Sequence, residues 1–122
     1  MSIEEYLIEK LGIMLDPIPV YAEVPESNPN PSNNHEEFYV LQKIGSSRTN
    51  HILVSNIAIQ SYAGCRLRTI QMNEILKEAV ENLLQFNEIS RVELNSDYDF
   101  TDTTKKQPRY QAVFVITHYQ LI

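Results

Sequence analysis

Asp97, Asp99 and Asp102 form the one group in this chain whose type and spacing invite a chemical reading. Paired carboxylates hold a divalent cation or share a proton when they converge. Asp97 and Asp99, two apart on an expected strand, are placed on one face. The calcium-loop pattern fails, however: no glycine follows a third acidic ligand, and Pro108 stands where the closing glutamate would fall. A solvated polar face is the plainer reading, ahead of a subunit-contact or channel-facing surface, with metal-dependent catalysis last. His35, His51 and His118 share no ligand spacing and read as surface or sheet residues. The single cysteine, Cys65, can close no internal disulfide or zinc site, and no histidine is placed to activate it, so it reads as a buried or incidental thiol. Gly12, Gly45 and Gly64 lie too far apart for a phosphate-cradling loop or a dinucleotide fingerprint. No cofactor and no metal are expected.

The elements that would carry these residues fit in one domain, residues 1–122, at 14.1 kDa. Hydrophobic residues at 43% and charged residues at 21% allow a core. A formal charge of −6 disfavours a protein whose main task is gripping phosphates. That charge is uneven: residues 1–37 carry −7 and residues 38–122 carry +1. An acidic front end is commonly just a solvated face; it could instead meet a basic patch on a neighbour, with Lys43, Arg48, Arg66, Arg68 and Arg109 as candidates. No apolar run approaches the ~20 residues that span a bilayer, and Glu4, Glu5 and Glu9 interrupt the only stretch resembling a signal peptide. A chain made and kept in a reducing cytoplasm, away from membranes, is expected.

Ser2 and Glu5 have capping-box spacing, and Ile3, Leu7, Leu11 and Met14 recur at helical intervals, predicting a short helix over 2–14 that ends at Asp16-Pro17. Residues 19–24 read as an edge strand with Val20, Ala22 and Val24 on one face. Residues 25–37, with three prolines and four asparagines, read as an exposed, mobile loop. Strands over 38–44 and 50–63, joined by a Gly45-Ser46-Ser47 turn, form a hairpin. The change of apolar parity across Asn56 predicts a β-bulge at Ser55 or Asn56. A helical stripe of Leu67, Ile70, Ile75, Leu76, Ala79, Val80, Leu83 and Leu84 predicts a long helix over 66–86.

Residues 90–119 read as a long C-terminal hairpin. Val92, Leu94, Tyr98 and Phe100 alternate with Glu93, Asp97 and Asp99 up to a polar connection at 102–108, and a return strand covers 109–119. At ~3.3 Å per residue its arms could run ~33 Å, long enough to project beyond the domain's own core. The expected fold class is α+β: an antiparallel or mixed sheet of about five strands, with a short N-terminal helix and one long helix on one face, and this extended hairpin. Tyr98, Phe100, Lys105, Lys106 and Arg109 near the hairpin tip are candidate oligomer-interface residues. Glu93, Asp97, Asp99 and Asp102 are a candidate acidic face toward a channel or solvent. The alternative for the two aromatics is that they fold back over the long helix.

The segment FYVLQKIGSSRTNHILVSNIAIQSYA, a helix containing MNEILKEAVENLL, and the closing RVELNSDYDF and RYQAVFVITHY resemble the tail-completion, or tail-terminator, proteins of long-tailed bacteriophages. The likeness covers about residues 20–119. The resemblance implies a structural protein without catalysis that forms a ring, commonly a hexamer, capping the tail tube and joining tail to head. Its implied partners are copies of itself, the major tail protein and a head-completion or neck protein. DNA would pass through without specific binding, and the protein, made in the host cytoplasm, would reside at the head–tail joint of the virion. Two other classes remain open: a small cytoplasmic metal-dependent enzyme using the aspartates, and a host-directed interaction module binding through the 25–37 loop.

Overall fold

A computed structural model describes residues 1–25, 37–101, 103–104 and 107–121. The first helix, α1 (Ile3–Met14), starts where the sequence signals it: Ser2 Oγ accepts the Glu5 amide at 3.1 Å while Glu5 reaches back to the Ser2 amide, a complete capping box. Ile3, Tyr6, Leu7 and Leu11 make its buried face.

The strand expected over 19–24 shrinks to β1 (Val20–Tyr21), parallel to the next strand. Pro17, Pro19 and Pro25 lack the N–H groups that a longer ladder needs. Val20 is buried, but Ala22 and Val24 lie beyond the strand and are exposed, so the expected shared face does not form. Most of the 25–37 loop, residues 26–36, lies outside the described residues.

β2 (Phe38–Thr49) and β3 (Ile52–Tyr62) form the first hairpin. Its turn is Asn50-His51, with Asn50 at φ 58°, a left-handed conformation that asparagine tolerates. Gly45-Ser46-Ser47 is therefore strand, not turn. The bulge is also relocated: the register shifts between Lys43 and Gly45, making Ile44 the extra residue of β2 opposite Asn56. A Cβ at Gly45 would come within 3.3 Å of the Asn56 amide nitrogen, so a glycine suits this close approach. β3 itself keeps one parity throughout, with Ser55, Ile57, Ile59 and Ser61 buried toward the helices, and Ile52 and Val54 on the opposite face.

The long helix is α2 (Arg66–Glu81), continued by a 3-10 turn at Asn82–Gln85. It buries Thr69, Met72, Asn73, Leu76, Ala79 and Val80, whereas Leu67, Ile75 and Leu84 of the expected stripe are exposed. The buried Tyr39 hydroxyl donates to the Met72 carbonyl at 2.8 Å, fixing α2 to β2.

β4 (Ile89–Asp99) and β5 (Arg109–Tyr119) complete an α+β fold with a mixed five-stranded sheet in the order β1-β2-β3-β5-β4. Both helices pack on one sheet face, where Tyr39, Leu41, Ile57, Ile59, Ala112, Phe114 and Ile116 meet Leu7, Leu11, Met72, Leu76 and Val80. The C-terminal hairpin is long, but its strands stay within the sheet: β5 is central, paired with β3 from Arg109 through Tyr119.

Candidate interface on the helix-free sheet face

β4 carries a register shift between Leu94 and Ser96, and this shift decides what the hairpin presents. Asn95 is the extra residue. Before it, Val92 and Leu94 point with Ile116 and Phe114 toward the helices; after it, Asp97 and Asp99 take that side, opposite Ala112 and Tyr110. Tyr98, opposite Gln111, moves to the face without helices. The uninterrupted alternation expected over this strand is thereby corrected, and with it both face assignments.

The expected acidic face does not form among the described residues. Asp97 accepts from Asn73 Nδ2 at 2.9 Å and from Lys77 Nζ at 3.0 Å, and Lys77 also pairs with Glu74 at 2.8 Å. These carboxylates, Glu74 first and then Asp97, raise the Lys77 pKa. Asp99 accepts from the Thr101 hydroxyl at 2.6 Å, the Thr101 amide at 2.9 Å and Arg66 Nε at 2.7 Å, which together hold its carboxyl down at about 2. Glu93 points the other way, opposite Val115, and lies 3.6 Å from Arg91. Asp102 lies outside the described residues, as do Lys105, Lys106 and His35. No group of three or more His, Cys, Asp or Glu able to hold a metal occurs among the described residues. Cys65 is exposed rather than buried, because it occupies the N-cap of α2 at the end of the sheet.

Three of the five interface candidates converge. Arg109 Nε donates to the Phe100 carbonyl at 2.6 Å, and its guanidinium carbon sits 4.5 Å from the Phe100 ring centre. Phe100 and Tyr98 meet edge to face at 6.0 Å. The strip continues across the sheet through residues that sequence reasoning did not single out. Gln111 donates to the Tyr98 hydroxyl at 2.5 Å, Gln60 to Gln111 at 2.8 Å, and Tyr62 to Gln60 at 2.9 Å. Arg109 donates to the Tyr62 hydroxyl at 3.2 Å. Tyr62 stacks on Phe38 at 4.7 Å, and Phe38 meets Tyr21 at 5.9 Å. Their common signal is register: Gln60 faces Gln111 and Tyr62 faces Arg109. That signal is readable only once the pairing is known.

The strip is fixed at its centre and open at its end. Phe38, Val40 and Tyr62 form a small buried cluster, whereas Tyr98 is 42% and Phe100 36% exposed. Neither aromatic folds over α2, which lies on the opposite face. Arg68 meanwhile clamps Glu37 through two hydrogen bonds of 2.5 and 3.0 Å, which lower the Glu37 pKa and tie the start of β2 to α2. Among the described residues no helix is long and apolar enough to cross a membrane. No family model and no curated protein matches this chain.

Proposed function

We propose that the chain is a structural, non-catalytic subunit that assembles with copies of itself into a ring capping the tail tube of a long-tailed phage, at the joint between tail and head. The observation that carries this reading is the half-exposed Tyr98–Phe100 pair, ordered by Arg109 and Gln111 on a sheet face without helices. Preorganised aromatics beside a guanidinium are typical anchors of protein interfaces, where burying one ring contributes roughly 1.5–3 kcal/mol. Sheet edges support the same reading. Among the described residues, β4 pairs only with β5, and β2 beyond Val40 only with β3. Open edges of that length are commonly closed by a neighbouring subunit. The likeness of residues 20–119 to tail-completion proteins supplies the biological setting, with the major tail protein and a neck protein as partners.

Tyr98→Ala combined with Phe100→Ala tests the proposal. Assembly onto tail tubes should be lost at temperatures where the free subunit stays folded, because the cation–π, edge-to-face and hydrogen-bond contacts of the two rings contribute only about 1–3 kcal/mol to the subunit itself. Intact assembly with a large fall in subunit stability would place the rings in the fold and remove them from the interface.

A further inference from the structure

At the end of the sheet farthest from the aromatic strip, the helix-side residues of β2, β3 and β5 run beyond the cover of α2 and line a recess of about 380 Å³. Its walls are Lys43, Ser46 and Arg48 from β2 and Ile3 from α1, with Ser55 and His118 at its base. Ser55 and His118 are both buried and bonded to each other at 2.9 Å. The His118 Nδ1 lies 2.9 Å from the Tyr119 carbonyl, so Nδ1–H donates there and Nε2 accepts from the Ser55 hydroxyl.

The cations set this recess apart. Arg66, Arg68, Lys77 and Arg91 each have a carboxylate partner, and Lys10 and Arg109 lie over aromatic rings. Of the described side-chain cations only Lys43 and Arg48 have neither, Arg48 Nε donating instead to the Asn50 carbonyl at 3.1 Å, and both line this one recess in a chain of net charge −6. Lys43 acts on His118 through space: burial lowers the His118 pKa first, and the Lys43 charge lowers it further against the Tyr119 hydrogen bond. The other charged group at the rim is Glu4 of α1, whose carboxylate accepts the Lys43 backbone amide at 3.2 Å. That contact occupies the Lys43 amide, so the free stretch of the β2 edge begins beyond Lys43.

We propose that this recess binds an acidic peptide segment, which extends along the edge of β2 beyond the Glu4-held Lys43 amide and places a carboxylate between the Lys43 and Arg48 side chains. Strand addition supplies the backbone bonds and the two cations supply selectivity for acid. Nucleic acid is a poorer fit, since two cations on an acidic protein cannot neutralise a phosphate run. The inference is independent of ring assembly and is testable on the free subunit.

The experiment is a nuclear magnetic resonance titration of the full chain at constant ionic strength with hexaglutamate, with inorganic phosphate and with a single-stranded oligonucleotide as separate probes. Hexaglutamate should give saturable shifts at Ser46, Arg48 and His118 and raise the His118 titration midpoint, because a carboxylate offsets the Lys43 charge. Lys43→Met with Arg48→Met should weaken binding at least ~10-fold, and the single change Arg48→Gln should weaken it less, while Arg91→Gln leaves it unchanged. Unshifted signals elsewhere in the spectrum establish that each variant is folded. Equal binding by the double variant, phosphate binding as tight as hexaglutamate, or tighter binding of the oligonucleotide would each overturn the proposal.

Discussion

Asp99 shows how a single side chain is diverted from one role to another. Its carboxylate is taken by the Thr101 hydroxyl and amide and by Arg66, so it closes the hairpin end against α2 and does not meet Asp97 at a shared site. These donors, Thr101 first, lower its pKa from 3.8 to about 2. A depressed carboxylate contributes stability that is complete above its unfolded value and is lost as pH falls through its folded value. Between pH 3.8 and about 2 the wild-type chain should therefore lose stability that the Asp99→Asn variant does not have to lose. Urea unfolding at several pH values across that window checks this. Parallel losses in both proteins would show that the Thr101 and Arg66 contacts are not formed in solution.

At the scale of elements, the bulge at Asn95 controls the chemistry of the sheet. It sends Asp97 to Asn73 and Lys77 on α2 and releases Tyr98 to the helix-free face. Deleting Asn95 removes the extra residue and leaves Asp97 opposite Ala112 and Tyr98 opposite Gln111, so both faces are kept. The expected cost is small, about 1 kcal/mol or less, measured by chemical denaturation. A loss of several kcal/mol would contradict this and show that the strand slips, moving Asp97 away from Lys77. The same bulge explains what could and could not be read in advance. The capping box of α1, the long helix and the five-strand α+β plan were legible, because each leaves a periodic or local mark in the sequence. A bulge leaves no reliable mark: the parity change across Asn56 pointed to the wrong strand, Asn95 and Ile44 look like ordinary strand residues, and only the pairing partner reveals the extra position. Gly45 misled for the same reason, since a glycine that permits close approach to Asn56 looks identical to one that makes a turn. Tyr98, Phe100 and Arg109 were legible as a group from their place near the hairpin end, whereas Gln60 and Gln111 join them only through register.

On the scale of the whole molecule, both described helices occupy one face of the sheet, and among the described residues no helix covers the other face and no strand pairs with the outer edge of β4. The aromatic strip and the basic recess lie at opposite ends of the sheet. The proposed ring contact and the proposed peptide site therefore do not compete for one surface. An acidic net charge of −6 would suit the proposed ring, since a channel that repels phosphate lets DNA slide. The most direct measurement is the stoichiometry of the chain bound to purified tail tubes, taken by mass measurement and electron microscopy of the tube ends. The account predicts one closed ring, a hexamer by the likeness to tail-completion proteins, at a single end of each tube. A chain that stays monomeric and leaves the tube ends bare at saturating concentration would contradict it.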